Sequence, residues 1–218
     1  MVITGILGEE IYEVTASALI ERKILAQPII KFVPVPPMSL AMANYPTVYK
    51  EYVVENPARN KLIIDQTKAL VAKKYKTLVL FRTINHGKYL YQRMQEAGIR
   101  CALVHGADSL EKRNEVKTMI EEDEIDVIVA STIAEIGWDL PIMSALVIAG
   151  SGGKSFVRAN QRVGRVVRSH PGKKFAAVVE FFDQVKYLKK HALKRYEIYK
   201  LEPGFIVHPC KEMKKGKK

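Results

Sequence analysis

Five short apolar runs, TLVLF (77–81), CALV (101–104), IDVIVA (125–130), ALVIA (145–149) and AAVVEFF (176–182), punctuate the chain. All the gaps but one, 131–144, carry helical patterns. Runs that are apolar almost throughout, rather than at alternate positions, belong to strands buried on both faces. Strands separated by helices make a parallel sheet covered on both sides, so the expected class is α/β. A helix is expected over 57–74, capped by Asn56 with Pro57 at its first position and Leu62, Ile63, Leu70 and Val71 turned inward. Further helices are expected from Asn85 to Gly98, and from Asp108, with Glu111 completing a capping box, to about 121. Two more are expected over 155–168 and 183–200. Residues 28–35 read as a strand, and 33–46, with four prolines, as a connector. Parallel sheets bind ligands at the carboxyl ends of their strands, where the chemistry-bearing motifs are expected.

Composition narrows the class further. A chain of 218 residues with 48% hydrophobic content can bury a sizeable core, which excludes disorder for most of its length. Two cysteines, Cys101 and Cys210, exclude a disulfide scaffold and a four-thiolate zinc site. His105, His170 and His191 lack metal-ligand spacing, so no metal is expected. The first ten residues lack the basic region of a signal peptide, and no apolar run reaches the roughly 18 residues of a membrane span. A soluble, cytoplasmic protein is expected. The net charge of +12 is unevenly spread: residues 154–218 hold 18 Lys and Arg against 5 Asp and Glu, while 1–153 hold 17 against 18. A basic half points to a polyanionic partner. Residues 211–218 (KEMKKGKK) read as a solvated tail, since only Met213 could anchor them.

The loop GSGGKS (150–155) imitates a triphosphate-binding loop, but the small residue needed five positions before its Gly-Lys pair is Ile148, inside a strand. The loop is too short to wrap a triphosphate. More informative is QRVGRVVR (161–168), where Arg162, Arg165 and Arg168 recur every third residue along one slowly rotating helix face. Guanidiniums that close repel one another unless an anion sits among them. Val163, Val166 and Val167 would bury the opposite side and hold them rigid, as phosphoryl chemistry requires. Gly164 costs about 1 kcal/mol within a helix and implies close approach to the backbone. Upstream, VIVASTIAEIGWDLP (127–141) ends a strand in the hydroxyls Ser131 and Thr132, which can donate to phosphate oxygens, and continues through Gly137 and Asp139. Asp139 can accept from a ribose hydroxyl or simply stabilise a turn.

Taken in order, these stretches resemble the second RecA-like lobe of superfamily 2 helicases over residues 53–184. LVLFRT (78–83) is similar to motif IV, and His105-Gly106 with Arg113 to the next block. Residues 131–141 resemble motif V, with Ser131 where many members have Thr, and 161–168 resemble motif VI, Q-R-x-G-R-x-x-R. Gln161 at the head of motif VI, and Ile136 where DEAD-box members usually have Arg, are closer to the DNA-directed XPB-like and phage UvsW-like branch. The opening residues 5–12 resemble the stretch entering this lobe there.

The resemblance implies a fold, a RecA-like parallel sheet with helices on both faces, and roles for particular residues. Arg165 and Arg168 would be arginine fingers on ATP, with Gly137, Asp139, Gln161 and Arg162 on the nucleotide side of the cleft. Arg82, Thr83, His105, Gly106, Ser131 and Thr132 would grip nucleic-acid phosphates, joined by Lys186 and Lys190 on the basic helix. That helix also carries Lys189, Lys194 and Arg195, and its basic face reads either as DNA-contacting or as the outside of a packed helix. The 218 residues contain no Walker A or DExD/H segment, so ATP and Mg2+ would be held mainly by a first lobe and the chain is expected to be a fragment or half of a split enzyme. The expected organisation is a leading segment (1–52) with a strand and a Pro/Met-rich loop, the lobe (53–200) and a basic tail (201–218). The expected partners are DNA and the first lobe, with no membrane. An RNA helicase lobe and a non-enzymatic nucleic-acid-binding module remain as alternatives.

Overall fold

The computed structural model describes residues 15–38, 44–131, 140–150 and 156–214, the side chains of 156–160 excepted. In chain order the elements are α1 (Ala16–Glu21), β1 (Gln27–Val35), α2 (Tyr45–Val48), a π-helical turn (Tyr49–Val54), α3 (Pro57–Ala72), β2 (Thr77–Phe81), α4 (Ile84–Glu96), β3 (Cys101–Val104) and α5 (Leu110–Glu121). Then follow β4 (Val127–Ser131), β5 (Ala145–Val147), α6 (Phe156–Val166), β6 (Phe175–Asp183), α7 (Leu188–Leu201), β7 (Ile206–His208) and α8 (Lys211–Lys214). The seven strands form one sheet in the order β3-β4-β2-β5-β6-β1-β7, and every neighbouring pair is parallel.

Successive residues of each strand serve opposite faces. Leu78 and Leu80 of β2 join the core beneath α5, α6 and α7, while Val79 and Phe81 join the core beneath α3 and α4. A side chain of this size fully buried contributes about 1.5–3 kcal/mol, which is why the central strands carry no polar alternation. The Pro/Met-rich connector is more structured than its composition suggests. Pro34 lies within β1, at a point past the residues Ile29–Lys31 that β7 pairs, so no β7 carbonyl there lacks a donor. Beyond the connector, the π-turn buries Tyr49, Tyr52 and Val53.

Several local expectations are corrected. α4 starts from Thr83, not Asn85, and ends at Ala97 before Gly98, whose φ of +74° is the left-handed conformation expected there. α5 is capped by Ser109, which accepts from Lys112 N. Asp108 instead turns back to accept from the His105 amide at 2.7 Å. The strand over 206–208 and the helix over 211–214 lie within the stretch read as a basic tail, because β1 offers an open edge and Met213, 5% exposed, finds the core.

Candidate functional site

The strand order decides which predicted residues meet. Because β3, β4 and β2 are adjacent, His105-Gly106, Ser131 and Arg82-Thr83 stand in a row at the carboxyl edge. Register pairs Phe81 directly with Ser131. At the same edge Gly150 follows β5 and Lys186 follows β6. The row is braced from below. Asp108 accepts from the His105 amide and from Lys112 Nζ at 2.9 Å, and Arg113 donates to the Gly106 carbonyl at 3.1 Å. Burial pushes the Asp108 carboxyl up, but the His105 amide and Lys112 outweigh it and hold it below the usual range. Thr83 Oγ1, a buried atom, has no hydrogen-bond partner among the described residues. Thr132, Gly137 and Asp139, and the loop 151–155 with Lys154, lie outside the described residues.

The imitation phosphate loop begins with a glycine that serves packing. A Cβ on Gly150 would stand 2.8 Å from the Arg82 amide nitrogen. The chain after β5 passes that close because Gly150 N donates to the Leu80 carbonyl at 2.8 Å.

The arginines of 161–168 do not all lie on one helix face. α6 ends at Val166, and Arg168 beyond it forms an antiparallel bridge with Leu25, two residues before β1 begins. The Ala26 amide fixes the same point by donating to the Val167 carbonyl at 2.7 Å. Since β1 starts there, Arg168 stands toward the amino edge of the sheet, not the carboxyl edge. Val163 and Val166 are fully buried and Val167 nearly so, as the pattern required, while Arg162 and Arg165 are half-buried and Gln161 is exposed. A Cβ on Gly164 would meet nothing within 4 Å, so nothing in the described chain approaches it.

Two buried ion pairs escaped sequence reading. Arg59, fully buried at the start of α3, donates from Nε to Asp183 Oδ1 at 2.8 Å and from Nη1 to the Ala149 carbonyl at 2.6 Å. Its guanidinium also lies 5.1 Å from the Phe181 ring centre. It ties the ends of β5 and β6 together beneath the site. Arg195, expected on the basic face of α7, is buried in a two-pronged pair with Glu180, both contacts at 3.0 Å. Tyr199 donates to the same carboxylate at 2.8 Å, and burial together with that charge raises its phenol well above the ordinary value. The only hint was Glu180 within an apolar strand, a buried charge that must find a partner. Among the described residues no cluster of three metal-ligating side chains occurs, and no helix is long and apolar enough to cross a membrane.

A parallel sheet of this order, with its motifs at strand ends and an arginine-bearing helix after β5, is a RecA-like helicase lobe. The family model "Helicase conserved C-terminal domain" matches residues 59–170, just over half of the 218, and the chain belongs to that family as a C-terminal lobe of superfamily 2. It is 26% identical over 221 aligned residues to "Putative helicase 22" of a Sulfolobus islandicus filamentous virus, covering 94% of this chain and 39% of that protein. It is 28% identical over 158 residues to the ATP-dependent DNA helicase uvsW of Enterobacteria phage T4, covering 65% and 31%. The crystal structure of T4 UvsW superposes with a TM-score of 0.69 over 85% of this chain and 41% of that one, at 23% identity. The C-terminal domain of the DEAD-box protein Dbp5 superposes at 0.60 over 86% and 91%, at 13% identity. The chain thus spans less than half the length of the curated relatives it matches.

Proposed function

We propose that this lobe works in an ATP-dependent DNA helicase or translocase, gripping the nucleic-acid backbone along its carboxyl edge and sensing ATP through α6. The observation that carries the reading is the mounting of Arg162 and Arg165. Both project from a helix anchored by the buried Val163 and Val166, and Gly164 between them leaves open space for an approaching group. Neither makes an ion pair among the described residues. Guanidiniums beside a gap fit the γ-phosphate of ATP, whose hydrolysis supplies the driving energy when it is held with Mg2+ by the first lobe. Arg165 acts as a finger that stabilises charge on the transferring phosphoryl group, while Arg168, bridged to Leu25 past the end of α6, stands apart from that mount. Gln161, Arg162, Gly137 and Asp139 are assigned to nucleotide contact by the motif resemblance.

At the carboxyl edge, Arg82, Thr83, His105, Gly106 and Ser131 bind phosphates, Thr132 takes the same role by its motif, and Lys186 and Lys190 extend the positive surface. Backbone contacts of this kind carry no sequence information and weaken with salt. Closure of the two lobes on ATP and reopening after hydrolysis would move the grip along the strand. DNA is favoured by the 28% identity to a helicase named as acting on DNA. In the complete two-lobe enzyme, Arg165→Ala is expected to lower ATP turnover by about 10³-fold or more while DNA affinity changes little. Normal turnover would sink the finger assignment, and faster unwinding of RNA than DNA duplexes in the same assay would replace DNA by RNA.

A further inference from the structure

Beside the row of proposed phosphate-binding residues lies a groove of about 490 Å³ whose lining includes Tyr45, Pro46, Tyr49, Arg82, Thr83 and Asn85. We propose that it holds one unstacked nucleobase of a single strand, with Tyr45 as the stacking face. The proposal rests on the reading of the carboxyl edge as a nucleic-acid track.

Four observations converge on it. First, Arg82 and Thr83 belong both to the row and to the groove, so a strand whose phosphates lie on the row brings its bases to the groove mouth. Second, the lining is aromatic and cationic. The Arg82 guanidinium lies 5.3 Å from the Tyr49 ring centre and donates to Tyr45 Oη at 3.4 Å. A planar guanidinium and a phenol ring are surfaces on which any base stacks. The one acid, Glu55, is paired with Lys50 at 3.7 Å. Third, a polar group suited to a base edge is present, the exposed Asn85 amide.

Fourth, Tyr45 is buttressed at a cost. Its ring meets Tyr187 edge-on at 5.9 Å and 80° and lies 5.8 Å from the His191 ring. Tyr187 reaches that position from φ +66° and ψ −53°, in a tight turn closed by Leu188 N donating to the Lys186 carbonyl at 2.9 Å. A γ-turn of this sign is rare and strained, and strain is kept where a surface must be pre-set. Lys186 in turn lies 5.0 Å from the Tyr187 ring. Tyr49, 7% exposed, anchors the floor by donating to the Gly150 carbonyl at 2.8 Å. A groove meant for phosphate alone would need no ring.

The test compares two fluorescent oligonucleotides of equal length bound by the 218-residue chain at fixed salt, one with bases and one abasic throughout. The native chain should bind the base-bearing strand more tightly. Tyr45→Ala should lower that affinity about 5- to 150-fold, the range for loss of one stacked base, and leave abasic binding unchanged. Tyr45→Trp, which keeps a stacking face should the alanine variant fold poorly, should retain or tighten base-bearing binding and quench a 2-aminopurine placed in the strand. Equal affinity of the native chain for the two strands, or a Tyr45→Ala loss of the same size on both, would overturn the base site and leave the groove to a peptide segment. Failure of the native chain to bind either strand would instead overturn the nucleic-acid track itself.

Discussion

His86 is fully buried, yet it is a histidine, and that combination has a measurable consequence. Asn60 donates its amide to the Val54 carbonyl at 2.8 Å, so its Oδ1 faces the ring and accepts from His86 Nε2–H at 2.9 Å. His86 Nδ1 has no partner among the described residues. Burial, aided by the positive charge of Arg59, drives the His86 pKa down from 6.5 to about 3. The folded state therefore excludes a proton that the unfolded chain accepts below about pH 6.5. Stability from the neutral ring is complete above that pH and is lost at about 1.4 kcal/mol per unit on the way down toward 3. Between pH 7 and pH 5 the loss comes to about 2 kcal/mol. The carboxylates with depressed values, Asp108, Glu111, Asp123 and Asp126, titrate below that window. The assay is urea unfolding of the native chain and of His86→Gln at both pH values, glutamine retaining a donor for Asn60. The other histidines cancel in the comparison. The variant should lose about 2 kcal/mol less than the native chain between pH 7 and pH 5. Identical losses would refute the claim that a buried neutral imidazole sits here.

Two further outcomes follow from burial and from open space. Arg59→Met strands Asp183 without its partner and should lower unfolding free energy by about 3–5 kcal/mol, read by chemical denaturation. Gly164→Ala meets no steric obstacle and should raise the thermal midpoint of this chain, by the equivalent of about 0.5–1 kcal/mol, while slowing ATP turnover in the complete enzyme.

The two kinds of failure in the sequence reading have separate causes. Helix starts slipped by one or two residues: Ser109 rather than Asp108 caps α5, and α4 begins at Thr83 with no side-chain cap, so only the chain's path decides where each helix starts. Arg195 was misplaced for a deeper reason. Within a run of lysines it is indistinguishable from a surface cation until Glu180, fifteen residues away, is seen beneath it. Arg168 shares the motif spacing of Arg162 and Arg165, but a long-range bridge to Leu25 takes it off their helix.

Local chemistry determined the elements, the parallel sheet and the family: apolar runs at strand length, helical periodicity between them, and motif residues at strand ends are properties of neighbouring positions. Only the tertiary structure decided what those elements bring together. The order β3-β4-β2 lines up three separate motifs, Arg59 ties β5 to β6, and Tyr45 meets Tyr187 across more than a hundred residues. Such pairings depend on which strand lies beside which and on which charges are desolvated together, and neither is encoded within any one segment of the chain.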